Sequence, residues 1–541
     1  MRTTYTALTI GPIFDTISRA KRTRSIWAAS YFFSMVIKEI LRSMINSGKK
    51  DKIILPFRED IYDSNYGSGL YADRLYFKGI TKDELQNAVN TQIEFFADDF
   101  YNQNICTKNE ALSFLNKYMN LHIVEFTLTN DELETIKASI DTNGLSNNSV
   151  LKILNQLLDN KELNKRYVFD FDNDYIIDYL SLKWSANTAL KINAFSQNSG
   201  RYFTSIGEIA TVDLKEKYKN EYSAALQKDF KNDDLEFIDE LSKTKKKDAD
   251  GKDVSIIEDY HKYYAVLYAD GDNIGDLLRS VANDDVALQT FSKLLLDFGL
   301  KAEETIANFG GSGIYLGGED IFAFLPIANK ADDQIKTLAE LIKNLDKDFN
   351  DTLVQYAKKI GNIKTPTLSY GIMLSYYKFP MQEAMSQAYE QLEICKKNRN
   401  LFPDKNGIAI RFQKHSGSFM ECYIDKNKWK SSILVYRLLT RHLNAPDKKD
   451  ILNGLIQRLR DGVFFSTFME AVRNNQIDAF FENFFNEAIH QKKQSFTDFF
   501  KELVKVQKDD YLMQNPTDKE EENIRLRDIL FTVLRYYKFV K

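Results

Sequence analysis

Cysteine is scarce: Cys106, Cys395 and Cys422 are the only three in 541 residues, and no two form a CxxC pair. That excludes a disulfide framework and a zinc ribbon, and a reducing compartment is expected. Histidine is nearly as sparse. None of the five, His122, His261, His415, His442 and His490, is followed by aspartate, so an HD-type phosphohydrolase centre is not expected. A surplus of positive charge is missing too. Lys and Arg number 73 against 77 Asp and Glu, a formal net charge of −4, which leaves only local contacts to nucleic acid. No stretch reaches the roughly 18 apolar residues of a membrane span, and the N-terminal MRTTYTALTIGPIFDT lacks the apolar core and cleavage site of a signal peptide. The expectation is a cytoplasmic protein without membrane contact.

What is present is globular: 43% hydrophobic and 28% charged residues, enough for about three to five packing units at roughly 100 to 200 residues each. An apolar run Tyr5–Ile10 ends at Gly11-Pro12 and is followed by a helical pattern through Trp27, Tyr31, Met35 and Ile40. Strand patterns at 52–56, 75–77 and 121–128, with a helical pattern from Thr81, complete a β-α-β-β-α-β order, that of a ferredoxin-like unit. Helical periodicity dominates from Asp131 to Leu214, and KTKKKDADGKD at Lys243–Asp253 reads as a flexible, solvated loop. The same β-α-β-β-α-β order then recurs: strands at 263–269, on either side of Gly317-Gly318, and at 367–374, with helices at 285–308 and 332–359. A further helix is expected at 381–397 and a last strand at 407–412. From Phe419 onward the pattern reads as helical, its Phe480-Phe481, Phe484-Phe485 and Phe499-Phe500 pairs serving helix packing. The fold class expected is α+β: a first palm at 1–130, a helical insert at 131–254, a second palm at 255–418 and a C-terminal helical bundle at 419–541.

Two segments carry chemistry. YYAVLYADGDNIG (Tyr263–Gly275) and YLGGEDIFAFLP (Tyr315–Pro326) each put acids at the end of an apolar strand. Either alone is an ordinary polar turn. In this order on a palm-like series they bring Asp270, Glu319 and Asp320, with Asp272 as a weaker fourth, to one sheet edge, where hard oxygen ligands suit Mg²⁺ or Mn²⁺. Gly317 and Gly318 allow a tight hairpin and close approach of a nucleotide. Two divalent ions about 3.5 to 4 Å apart would activate a hydroxyl and neutralise a triphosphate, so the reaction implied is nucleotidyl transfer. In the first palm, the aromatic and acidic stretch Tyr62–Tyr76 is a candidate acceptor pocket, with Asp73 or Asp63 as polar contacts beside Tyr62, Tyr66, Tyr71 and Tyr76. Lys21, Arg22 and Arg24 read as a phosphate contact or as a solvated helix face.

With these motifs in order, followed by SYGI at 369–372 and RFQKHSG at 411–417 and preceded by IGPIFDTISRAKRTRSIWAASY at 10–31 and FTSIGEIA at 203–210, the chain resembles the large palm-containing subunit of type III CRISPR effector complexes, particularly the type III-B (Cmr) branch. The resemblance implies a degenerate first palm and a catalytic second palm. Between them they would hold two ATP molecules so that a 3′-hydroxyl attacks an α-phosphate, giving a cyclic or linear oligoadenylate when target RNA is bound. Partners would be other Cmr-type subunits, guide RNA and target RNA. Carried over by position, Asp270, Glu319 and Asp320 ligate metal, Ser369 and Gly371 lie against the nucleotide, and Lys396 and Lys397 reach the triphosphate. Glu319 departs from the commoner Gly-Gly-Asp-Asp turn, keeping the charge on a longer arm.

Three other readings stay open. S-adenosylmethionine, a cationic adenosine, could replace the second ATP, because aromatic faces with carboxylates suit a sulfonium. The altered turn would also fit a catalytically retired scaffold. A diguanylate cyclase uses a similar Gly-Gly hairpin, against which stand Ile321 and the presence of two palms.

Overall fold

The computed structural model describes residues 2–57, 68–139, 148–163, 174–181, 205–228, 233–248, 250–331, 335–361, 364–427, 458, 460–484 and 519–540. Of the expected features, Tyr62, Asp63, Tyr66, Phe203, Thr204, Phe485, Phe499 and Phe500 lie outside them.

The first sheet is built from β1 (Arg2–Thr9), β2 (Ile53–Leu55), β3 (Arg74–Lys78) and β4 (His122–Thr129), in the order β2-β3-β1-β4 with every pair antiparallel. Its helices start where the sequence supplies reciprocal caps. Thr81 with Glu84 opens Lys82–Asn102, and Thr107 with Glu110 opens Lys108–Tyr118; in each, the hydroxyl accepts the third N–H while the glutamate accepts the cap's own N–H. The helix Thr23–Asn46 is buried over most of its length, from Thr23 to Met44. An all-round apolar helix needs partners on several sides. It packs on the helices Lys82–Asn102 and Tyr175–Leu180 and on a strand of the second sheet.

Between the sheets, the lysine-rich segment expected as a flexible loop forms a hairpin of β5 (Lys245–Lys247) and β6 (Asp253–Ser255). The turn sequence explains the difference. Asp248 Oδ1 accepts the N–H groups of Asp250 and Lys252, and Gly251 takes the left-handed φ of +76° that closes the turn.

The second sheet repeats the first. β7 (Tyr263–Asp272), β8 (Ser312–Tyr315), β9 (Ile321–Pro326) and β12 (Thr367–Tyr376) take the order β12-β7-β9-β8, the same pattern with β7 in the place of β1. A small hairpin of β10 (Ala328–Asn329) and β11 (Lys336–Thr337) delays the next helix, expected from 332, until Leu338; it then continues through a π turn at Asn350–Val354 to Lys359. Two strands extend the sheet: β13 (Gly407–Gln413), parallel to β12, and β14 (Phe419–Asp425), antiparallel to β13. β14 corrects the expectation of helix from Phe419. Gly417 turns the chain at φ +80°, and Cys422 and Ile424 alternate inward to the core. Helices return at Gly462–Arg473, Ile477–Phe484 and Lys519–Val540, with Phe480 buried as helix-packing core. None of the described helices is long and apolar enough to cross a membrane.

The central strands β7 and β9 are apolar almost throughout because both faces are covered. The helix Met381–Lys397 lies directly on β12 at Gly371, where an added Cβ would stand 2.2 Å from the Leu392 nitrogen and 2.4 Å from the Ala388 carbonyl oxygen. Gly371→Ala must push backbone from backbone, so it should lower the unfolding free energy by about 1 to 3 kcal/mol or more, as overpacking does. Gly275→Ala, which meets nothing within 4 Å, should change it by less than about 1 kcal/mol. Urea titration of the two variants checks both; equal midpoints would show that the close helix-strand approach is wrong.

Candidate active site

The acids converge because the hairpin between β8 and β9 is laid over the end of β7. Gly318 supplies φ +71°, and Gly317 leaves room for the Tyr315 ring, which an added Cβ would meet at 2.5 Å. The Asp320 N–H closes the turn on the Gly317 carbonyl at 3.3 Å. Glu319 then rests on Gly271: a Cβ there would lie 2.7 Å from the Glu319 Cβ. Both the glycine pair of the turn and the glycine between the two aspartates are therefore steric requirements of one contact.

Packed into a cleft, the acids resist ionisation. Desolvation raises the pKa of Asp270, countered by Lys396 and reinforced by Asp272. Desolvation and the Asp270 charge lift Glu319 to about 6. Asp320 is pushed well above the usual carboxylate range by desolvation, then by Glu319 and Asp270.

Asp272 has a different job. It is fully buried; Oδ1 accepts from Lys396 at 2.7 Å, and Oδ2 accepts from Thr367 at 2.9 Å, Ser369 at 2.7 Å and the Asn406 N–H at 3.0 Å. Ser369, expected against a nucleotide, is buried beside this carboxylate and also accepts the Gly407 N–H at 3.3 Å. Gly371, expected likewise, lies under the helix Met381–Lys397. Both act behind the site, because β12 is an interior strand with a helix on one face. Of the two lysines, Lys396 is 10% exposed and reaches Asp270 Oδ2 at 2.9 Å, whereas Lys397 is 76% exposed and pairs with Glu393 at the rim.

Of these groups Asp270 and Asp320, but not Glu319, line a cavity of about 440 Å³ between the two palms. From the second palm it is lined by Tyr268, Ala269, Asp270, Asp320 and Phe322, and from the first by Thr9, Ile10, Phe14 and Asp73. Registers relate the two halves. Thr9 faces Arg74 across β1 and β3 as Ala269 faces Ile321 across β7 and β9, so Asp73 is the counterpart of Asp320 and Ile10 the counterpart of Asp270. The first palm keeps one acid and has isoleucine in place of the other. Burial, then Arg74 opposing and Glu162 adding, leaves the Asp73 pKa raised. Tyr315 stands among these acids, and desolvation with the charges of Asp320 and Asp73 keeps its phenol protonated.

Sequence reading missed four contributors. Glu162, from the helix Val150–Leu163, lines the cavity and pairs with Arg74 at 3.3 Å. Tyr389 and Glu393 reach it from the helix Met381–Lys397. Phe14, 70% exposed, projects into it. A large aromatic residue two positions after the strand-ending Gly11-Pro12 was the available signal for Phe14; helical periodicity concealed the others. Of the remaining expected contacts, Lys21, Arg22 and Arg24 do not line the cavity.

By donor chemistry, Asp270, Glu319 and Asp320 suit a hard divalent cation: all are oxygen donors, and each gains from a positive charge that relieves mutual repulsion. Among the described residues, however, no three His, Cys, Asp or Glu side chains are already gathered around one point that could hold a metal ion.

Comparison with known proteins places this geometry. Residues 263–409 match the model of the Cas10/Cmr2 second palm domain, and residues 5–103 match that of the CRISPR-associated protein Cmr2 N-terminal region. The CRISPR system Cmr subunit Cmr2 of Pyrococcus furiosus is 26% identical over 194 residues, which are 31% of this chain and 20% of that protein. A type III-B Cmr-beta structure in its apo state superposes with a TM-score of 0.53 at 11% identity, covering 99% of this chain and 82% of the other. A Csm1–Csm4 cassette in complex with pppApA gives 0.47 at 12% identity, over 99% of this chain and 69% of that one. The N-terminal region and the second palm are thus each matched, in their own place along the sequence, by models of the Cas10/Cmr2 family, on a fold shared with Cmr-beta.

Proposed function

We propose that this chain is the nucleotidyl-transfer subunit of a type III-B, guide-RNA-directed complex. On binding of target RNA it would join AMP from ATP to an adenosine-bearing acceptor held across the cavity between the palms. The acceptor's ribose hydroxyl attacks the α-phosphorus, pyrophosphate leaves, and the hydroxyl proton passes to solvent or a cleft carboxylate. Other Cmr-type subunits, guide RNA and target RNA are its partners, and the cytoplasm is its compartment.

One observation carries the reading: Asp270 and Asp320 face Ile10 and Asp73 around one cavity of about 440 Å³, inside the roughly 300 to 1,000 Å³ of ligand sites. The half with the full set of acids suits the donor, since a Mg²⁺ or Mn²⁺ bound there would polarise the α-phosphate and lower the pKa of the attacking hydroxyl. Asp270, Glu319 and Asp320 would hold it. The half with Ile10, where Ala72 precedes Asp73 as Glu319 precedes Asp320, lacks two of the three ligands and need only present a hydroxyl, so it suits the acceptor. Holding donor and acceptor together replaces a bimolecular encounter with an oriented one.

With ATP as acceptor the product is a linear or cyclic oligoadenylate. A specific observation favours a second acceptor, S-adenosylmethionine. The charged side chains lining the cavity, Asp73, Glu162, Asp270, Asp320 and Glu393, are all acidic, and Phe14, Tyr268, Tyr315, Phe322 and Tyr389 add aromatic faces. That wall opposes a second triphosphate and attracts a sulfonium and an ammonium group.

Assembled complex with target RNA, given ATP with Mg²⁺ or Mn²⁺ and assayed by mass spectrometry with and without S-adenosylmethionine, should form an AMP-containing product. Glu319→Ala with Asp320→Ala should lower its yield at least 100-fold. A conjugate seen only with the second substrate selects that acceptor; oligoadenylate alone in both reactions selects ATP. Undiminished product from the double variant would remove the site assignment, no product at all would favour a scaffold, and product only from GTP a diguanylate cyclase.

The raised acids also set a pH dependence of stability. A carboxyl whose folded pKa exceeds its unfolded value binds more protons in the native state, so stability is highest at low pH and falls as pH rises through the folded pKa. For Glu319 the window runs from its ordinary 4.5 up to about 6. In metal-free protein the melting temperature should gain less over that window in wild type than in Glu319→Gln. Parallel Tm profiles for the two would contradict the burial assigned to Glu319.

A further inference from the structure

Lys396 sits at the centre of the acid site yet is bound as a structural element. Its Nζ meets the carbonyl oxygens of Asp270 and Gly271 at 3.0 and 2.9 Å, Asp272 Oδ1 at 2.7 Å and Asp270 Oδ2 at 2.9 Å. An ammonium has three hydrogens to give, so these four acceptors saturate it. The contacts differ in permanence. Asp272 is 0% exposed and its other oxygen is filled by Thr367, Ser369 and Asn406, whereas Asp270 is 34% exposed and faces the cavity. The bond to the Asp270 carboxylate is therefore the one that a solvent-borne cation can contest.

We propose that Lys396 is a resident counter-ion of this site: anchored by Asp272, it neutralises Asp270 in the empty protein, competes with a divalent cation for that carboxylate, and is drawn off by the phosphates of an incoming nucleotide. This deepens the nucleotidyl-transfer reading and rests on it. Two positive charges on one carboxylate repel, so metal alone binds weakly. A triphosphate gives the ammonium anionic acceptors and frees Asp270, so metal and nucleotide bind cooperatively, each tightening the other by the same factor. The helix end gives the lysine its reach: it lies in the last turn of Met381–Lys397, whose backbone is clamped onto β12 at Gly371.

The test is binding without turnover, on the full chain free of RNA. Mn²⁺ affinity is read by electron paramagnetic resonance, with and without α,β-methylene-ATP, in wild type, Lys396→Met, Lys396→Arg and the double variant Lys396→Met with Asp272→Asn. The double variant keeps the test open where Lys396→Met alone, leaving Asp272 buried and unpaired, fails to fold. Loss of the lysine should tighten Mn²⁺ alone at least 10-fold and abolish the tightening caused by the analogue, while Lys396→Arg stays within about threefold of wild type; structural damage would weaken metal binding. Mn²⁺ affinity within twofold of wild type in the folded variants that carry methionine at 396 would overturn the inference, and so would nucleotide coupling that survives without the lysine. Neither result touches the transfer reading, which fails separately if wild-type complex makes no product from ATP.

Discussion

The active site depends on one buried anion. A carboxylate withdrawn from water costs on the order of several kcal/mol unless its lone pairs are filled, and Asp272 is filled on all sides: by Lys396, by Thr367 and Ser369 of β12, and by the Asn406 N–H just before β13. One side chain thus joins the end of β7, its neighbour β12, the covering helix and the loop that starts β13. Asp270, two residues earlier on the same strand, inherits its position from that anchor and keeps its own carboxylate at the cleft. The two aspartates of one motif share a face of the strand and meet the same lysine, and burial gives them separate functions.

Duplication supplies the second half of the cavity. Both sheets run in the same strand order, and register equates Asp73 with Asp320 and Ile10 with Asp270. With Ile10 in the place of Asp270, and Ala72 before Asp73 where Glu319 precedes Asp320, the first half keeps the wall and one acid. The two halves are an unlike pair by these differences, the asymmetry that suits the proposed donor and acceptor.

The palms are held to each other by main chain. The Gly69 N–H donates to Ile314 at 3.3 Å and Leu316 donates back to Gly69 at 2.7 Å, a one-residue extension of β8 by the first palm. Ser34 Oγ accepts the N–H groups of both Leu70 and Tyr71, at 3.0 and 3.1 Å, tying that segment to the long buried helix. Gly69 passes so near that helix that a Cβ would stand 2.5 Å from Ser30 Oγ. The bridge ends at Tyr315, the residue placed among Asp73, Glu319 and Asp320, so cavity geometry and palm–palm contact are set by the same few residues.

By itself the sequence determined what period and turn chemistry encode. Both β-α-β-β-α-β series, the long buried helix, the glycine hairpin and the three acids at strand ends were legible because apolar alternation, helical spacing and glycine-rich turns are local properties. β14 and the lysine-rich hairpin escaped because pairing with a neighbour, which no local pattern records, decides such strands. The roles of Asp272 and Ser369, the inward reach of Lys396 against the outward one of Lys397, the entry of Glu162 and Phe14 into the cavity and the equivalence of Ile10 with Asp270 belong to the tertiary structure alone. Sequence lists which groups can ionise, donate or stack, but burial and cross-strand register decide which of them meet water, metal or ligand. Those depend on residues up to hundreds of positions away, as Asp270 and Lys396 do across the whole second palm.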